Sequence, residues 1–161
     1  MTKPETNKII RRWSIIIIGG VLTVLMGVML FAPSVNNANA TEITVYKSPN
    51  CGCCSKWVDH LRGAGFKVTT NDRMEMNSIK LSSGVKSELR SCHTALVGGY
   101  VIEGHVPAND IKRLLQEHPD VTGLAVPGMP MGSPGMEGHY KDNYDVLTFK
   151  RNGETSVFTR Y

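Results

Sequence analysis

The chain has 161 residues, four of them cysteines, and a formal charge of +4. Residues 1–40 contribute Lys3, Lys8, Arg11 and Arg12 against one acid, Glu5, so the segment from Thr41 onward keeps a charge of only +1. That near-neutral remainder of about 120 residues suits one compact domain with one core. It excludes two large domains, a polytopic membrane protein and a long disordered chain, and it leaves nucleic-acid binding without an electrostatic basis.

Residues 1–40 read as an export signal. Lys8, Arg11 and Arg12 form a positive opening, an uncharged apolar run follows from Ile15 to Ala32, and Ala38-Asn39-Ala40 has the small-x-small form of a cleavage site. The apolar run is long enough to serve instead as an uncleaved anchor, but the cleavage site favours removal. Either way residues 41–161 form a domain outside the cytoplasm, in the periplasm of a Gram-negative host, with no membrane contact after cleavage. Thiols there meet an oxidising environment.

Ile43–Tyr46 alternates as a strand. Ser48-Pro49-Asn50 breaks it and offers capping side chains to a helix that begins among the cysteines, carries Trp57, Val58 and Leu61 on its apolar side, and stops at Gly63 and Gly65. Phe66–Thr70 is a second strand, and Asn71–Arg90 reads as two short helices split by Gly84. Thr94–Val97 and Tyr100–Glu103 flank Gly98-Gly99, a two-residue hairpin turn. Pro107 opens a helix with Ile111, Leu114 and Leu115 inward, ended by Pro119. A long Gly/Pro-rich stretch runs from Gly123 to Gly138. Asp145–Phe149 and Thr155–Thr159 around Asn152-Gly153 make a C-terminal β-hairpin. The alternation predicts an α/β two-layer sandwich, and the element order resembles a thioredoxin-like domain with its cysteines between the first strand and the first helix.

Cys51-Gly52-Cys53-Cys54 packs three thiols into four residues, and Cys92 is the fourth. A structural disulfide framework is the ordinary expectation for an exported domain, but this spacing suits it poorly. Bridging across about 40 residues is worth about 4 kcal/mol of loop entropy, whereas a ring of about four residues gives only about 2. The cluster is therefore read as chemical. A helix N-terminus favours thiolate, which is both the redox nucleophile and the soft-metal ligand. Cys51 and Cys54 alone suit thiol–disulfide exchange, while a third adjacent thiol adds more to a metal site than to exchange.

The Gly98-Gly99 turn sets Val97 opposite Tyr100 and Thr94 opposite Glu103, and so Cys92 opposite His105, with His93 nearby. Cys51, Cys53, Cys54, Cys92 and His105 are expected to converge on that register. His60 and His118 are read as structural. Val126–His139 holds three methionines, four glycines and three prolines in fourteen residues, a composition that no helix or regular strand tolerates. Thioethers bind Cu(I) well and zinc, calcium or magnesium poorly. Met129, Met131, Met136 and His139 thus join the candidate ligands, and copper is the expected metal. Four thiolates exceed the needs of one two- or three-coordinate Cu(I), so more than one ion fits.

CGCC after a strand, then SCHTALVGGYVIEGHVPANDIKRLL, then GLAVPGMPMGSPGME, resemble the CopG-like copper-resistance proteins, grouped as periplasmic metal-binding proteins. The likeness runs from about Ile43 to His139. It implies a thioredoxin-like domain, copper held by Cys51, Cys53, Cys54 and Cys92 with His93, His105 and the loop methionines, and a role in copper tolerance that extends to redox turnover of the metal. Thioredoxins carry a cis-proline before the strand that begins here at Thr94. Cys92-His93 stands in its place, which weakens the disulfide-exchange reading.

The leading expectation is an exported Cu(I)-binding protein of copper homeostasis, whose binding role outweighs an enzymatic one. Its partners are copper ions and another periplasmic copper or electron-transfer protein. The alternative is a thiol–disulfide oxidoreductase using Cys51 and Cys54, and a third reading is an interaction domain with inert disulfides.

Overall fold

The computed structural model describes residues 40–161. The expected signal or anchor, apart from Ala40, lies outside the described residues, among which no helix is long and apolar enough to cross a membrane.

Seven strands form one mixed sheet: β1 (Glu42–Lys47), β2 (Lys67–Asp72), β3 (His93–Val97), β4 (Tyr100–Glu103), β5 (Gly123–Ala125), β6 (Asp145–Phe149) and β7 (Thr155–Arg160), in the order β2-β1-β3-β4-β5-β6-β7. The helices are α1 (Gly52–Gly63), α2 (Asn77–Ser82) and α3 (Ala108–Glu117), with a 3-10 turn at Ser87–Leu89. Both expected hairpins are present. In the first, Gly98 and Gly99 take φ of 56° and 85°, the left-handed conformation that a tight two-residue turn requires. Thr94 then pairs with Glu103 and Val97 with Tyr100, as the turn predicts.

Side chains alternate across the sheet. Ile43, Val45, Ala95, Val97, Ile102, Leu124 and Val146 face Trp57, Val58 and Leu61 of α1 and Ile111 and Leu114 of α3 in the main core. Val101, Ala125 and Phe149 face the other way and pack with Val85 and Leu89. The second face is thus covered as well, by the α2 and 3-10 segment, which adds a partial layer to the expected two.

Two local expectations are corrected. Gly123–Ala125, read as irregular, is a strand fully buried between β4 and β6. Three residues are too few to show a period, and the glycine that disguises the strand is needed because a Cβ there would collide with the Val101 backbone. Ser48 and Asn50 do not cap α1: Cys51 is the N-cap residue and no side chain caps the helix, while Ser48 Oγ accepts from the Asn50 N–H at 3.3 Å. The stop of α3 ahead of Pro119 is as expected, and His118 closes it in the left-handed conformation (φ 48°), its N–H donating to the Leu114 carbonyl.

Two long-range ties complete the domain. His60 Nε2 accepts the Ala108 N–H at 3.1 Å, so α1 caps α3. The buried Asp110 carboxylate accepts from Thr159 Oγ1 at 2.6 Å and from the Tyr161 hydroxyl at 2.8 Å, fixing β7 to α3.

Strand directions decide where the chemistry lies. β1 and β2 run parallel, β3 runs against β1, β4 runs against β3, and β5 follows β4. The C-terminal ends of β1, β2, β4 and β5 and the start of β3 therefore share one edge of the sheet, the edge where α/β sheets place their ligands.

Candidate metal centre

Five segments meet at that edge. Three of them carry the candidate donors: Cys51 ends the β1–α1 connection and Cys53 and Cys54 follow in the first turn of α1, the entry to β3 carries Cys92 and His93, and the exit from β4 carries His105. Cys51 and Cys54 are joined by a disulfide, and Cys53 and Cys92 are free and half-buried. Cys54 Sγ lies 3.3 Å from Cys92 Sγ, Cys53 Sγ lies 4.0 Å from it, and Cys51 and Cys53 are 3.5 Å apart through sulfur. Because α1 has no side-chain cap, the first N–H groups of the helix open onto these sulfurs, where they favour negative charge.

The imidazoles approach from the other side. His93 Nδ1 is 3.3 Å and His105 Nε2 is 3.1 Å from Cys92 Sγ. Both rings are fully buried, edge to face with centroids 5.0 Å apart, and Trp57 stacks on His93 at 4.2 Å. His105 Nδ1 is 2.7 Å from the Pro134 carbonyl, which can only accept; Nδ1 therefore carries the proton and Nε2 presents its lone pair to Cys92. His93 Nε2 has no partner. Burial, helped by the nearby His105 and the Lys80 ammonium, holds His93 well below its ordinary pKa. Burial also lowers His105, with the Pro134 carbonyl and Glu137 opposing it. Both rings are thus neutral near pH 7, the form that binds metal. Burial first, and then the neighbouring Cys53, push the Cys92 thiol up to about 12. With no cation beside it, this sulfur keeps its proton.

The hairpin ladder alone does not bring His105 to Cys92. It ends at Glu103, and Gly104 (φ 73°) turns the chain so that His105 meets Cys92 from beyond the last pair. A Cβ on Gly104 would sit 2.5 Å from the Val126 carbonyl and 2.6 Å from Ser91 Cβ, so the close approach depends on glycine.

Residues 126–143 between β5 and β6 contain no helix or strand. The stretch is seated on the centre by Pro134, through His105, and by Gly135, where a Cβ would lie 2.7 Å from the Cys53 carbonyl and 2.9 Å from the Trp57 nitrogen. Met131 and Met136 on either side are half-buried, Met129 is 51% exposed, and His139 is exposed. Among the described residues two groups have donor atoms within 4.8 Å of one another: Cys51, Cys53, Cys54 and Cys92, and Cys92, His93 and His105. Cys92 belongs to both, and His139 to neither. Two features were not anticipated: the Trp57 stack on His93, and a buried cluster of Lys80, Thr94 and Glu103 beneath Cys92. The Thr94–Glu103 register was readable, but Lys80 comes from a polar stretch with no period to orient it.

The fold and site define an α/β domain with a soft-donor pole of four sulfurs and two neutral imidazoles, a donor set suited to a thiophilic metal. Residues 89–136 match a family described as a protein of unknown function, DUF411. Two solved structures of a copper resistance protein, CopG, in forms 1 and 2, are similar to this chain at 46% identity, with TM-scores of 0.72 and 0.73. The match covers 76% of this chain and 98% and 99% of theirs. The chain belongs to the family of the copper resistance protein CopG. No curated protein sequence matches it.

Proposed function

We propose that this chain is an exported Cu(I)-binding protein of copper homeostasis, acting in the periplasm after removal of residues 1–40. The single observation that carries this reading is the convergence of both donor groups on one atom, Cys92 Sγ, in a member of a copper-resistance family. Once the Cys51–Cys54 bridge is reduced, Cys51, Cys53, Cys54 and Cys92 supply thiolates, and His93 and His105 supply imidazoles. A thiolate shared between the two groups lets more than one copper be held. Met129, Met131 and Met136, with His139, form the entry path or lid, which the seating of Pro134 and Gly135 on the centre supports. The sheet order over β2, β1, β3 and β4, with cysteines at the start of α1, supports a thioredoxin-like ancestry of the domain. Mixed imidazole and thiolate donors also suit Cu(II), so redox cycling of the bound metal with an electron-transfer protein is the enzymatic extension of the same reading.

The test is anaerobic Cu(I) reconstitution of the reduced protein against a competing chelator. Wild type retains at least one copper per chain, and Cys92→Ser weakens retention as much as Cys51→Ser does. Equal retention by wild type and a Cys51/Cys54 double mutant would overturn the assignment.

The Cys51–Cys54 bridge favours a second reading, a thiol–disulfide oxidoreductase using that pair. Insulin reduction unaffected by a copper chelator is its signature. The first reading is preferred because Cys92, itself in contact with both imidazoles, lies 3.3 Å from Cys54 Sγ, an arrangement of soft donors that exchange with a substrate disulfide does not need.

A further inference from the structure

Below the candidate ligands lies a polar cluster that offers none of its own. Lys80 of α2 is 5% exposed, and Thr94 and Glu103 are fully buried. Lys80 Nζ donates to Glu103 Oε1 at 2.5 Å and to Thr94 Oγ1 at 3.1 Å, and Thr94 Oγ1 donates to Glu103 Oε2 at 2.6 Å. A buried ion pair seldom stabilises a fold more than well-packed apolar side chains would. The fold alone gives this one no purpose.

Its fourth partner supplies one. The Ser91 backbone N–H donates to Glu103 Oε1 at 2.7 Å, which fixes the peptide just before Cys92. The Ser91 hydroxyl donates to the Gly128 carbonyl, and the Gly128 N–H donates to the Arg90 carbonyl at 3.2 Å. Gly104, next to Glu103, packs against Ser91 and Val126 so closely that no side chain fits. Three chain segments therefore meet around Ser91, which the carboxylate holds by its N–H. One continues into Cys92 and His93, one into His105, and one into the methionine loop.

We propose that Lys80 and Glu103 are a positioning pair: the carboxylate, its charge neutralised by the ammonium, holds the Arg90–Ser91 peptide, and through Ser91 the root of the methionine loop, where the soft-metal donors converge. The pair touches no metal and acts through Ser91. The inference rests on the copper reading for its purpose, though not for its geometry.

The test uses the full chain and a Lys80→Met/Glu103→Leu double variant, which removes both charges together so that neither is left buried alone. In the form bridged between Cys51 and Cys54, iodoacetamide labels Cys53 and Cys92, and peptide mass spectrometry gives each rate. The variant melts within a few degrees of wild type, Cys92 labels several-fold faster, and the Cys53 rate is unchanged. After reduction, Cu(I) retention falls by about tenfold or more, in line with the loss of an outer-shell support, and the thiolate-to-copper absorption changes shape. Lys80→Met/Glu103→Gln keeps an acceptor for Ser91, again leaves no charge buried alone, and restores both readouts most of the way.

A folded double variant with the wild-type Cys92 rate and spectrum would overturn the proposal. Should that variant not fold, Ser91→Pro deletes only the donor to Glu103 and the hydroxyl. Arg90, at φ −68° and ψ 141°, already suits a residue before proline. Faster Cys92 labelling in Ser91→Pro than in Ser91→Ala supports the clamp, and equal labelling refutes it. If wild type holds no Cu(I) at all, the copper reading fails, and the labelling rates still decide the role of the pair.

Discussion

His105 Nε2 and Cys92 Sγ face one another across 3.1 Å, and the imidazole is held in that tautomer by the Pro134 carbonyl on its far nitrogen. This carbonyl belongs to the methionine loop, so the loop sets the ring that meets the thiol. His105→Ala should lower Cu(I) retention by at least the roughly 10–100-fold that loss of a mere ligand-orienting partner costs, with the far-ultraviolet circular dichroism unchanged. Chelator competition measures it, and unchanged retention would remove His105 from the site.

Thiol counts should report the bridge. As isolated under air, two cysteines per chain, Cys53 and Cys92, react with a thiol reagent in denaturant, and all four react after reduction. Copper capacity rises with the count, because reduction adds two soft donors. Equal copper per chain before and after reduction would show that Cys51 and Cys54 take no part.

The metal-free protein should lose stability in mild acid. Burial lowers the pKa of His60 from its ordinary 6.5, with Glu137 opposing weakly. In the native state its Nε2 must stay unprotonated to accept the Ala108 N–H. The unfolded chain takes up that proton first, so stability is complete above pH 6.5 and falls as the pH drops through the folded value. His93 and His105 act in the same direction. Melting temperatures between pH 7.5 and about 5 should fall in wild type, and less steeply in His60→Gln. An identical slope would show that His60 does not titrate on unfolding.

Trp57→Phe probes the support beneath the imidazoles. The indole N–H donates to the buried Val106 carbonyl at 2.9 Å, and its ring stacks on His93. Removing the donor leaves that carbonyl unpaired, a cost of about 1–3 kcal/mol. Urea unfolding measures it, and a change below half a kcal/mol would mean that water replaces the indole.

Legibility followed sequence distance. The Gly98-Gly99 turn and the alternation around it are local, so the register from Val97–Tyr100 to Thr94–Glu103 could be read from the chain. Three thiols in four residues announced themselves in the same way. The strand Gly123–Ala125 was hidden because it owes its place to β4 and β6, not to a pattern of its own. Lys80 reaches Glu103 across 23 positions and His60 reaches Ala108 across 48, and no periodicity marks either partner. Cys51 and Cys54 stood out as an exchange pair by their spacing, but that they rather than another pairing of the neighbouring thiols would form the bridge was not fixed by it. The placement of the methionine loop depends on Gly135, whose missing side chain lets the loop lie on α1, a fit visible only once both segments are in place.

The acid at position 110 finds its hydroxyl partners 49 and 51 positions further along the chain. Until those residues arrive, the carboxylate has Arg113, 3.7 Å away and one turn further along the helix, but lacks both hydroxyl donors, and enclosing it without them costs about 1–3 kcal/mol. Full enclosure of this carboxylate is therefore tied to the arrival of Thr159 and Tyr161, which makes the last strand a closing clasp on α3.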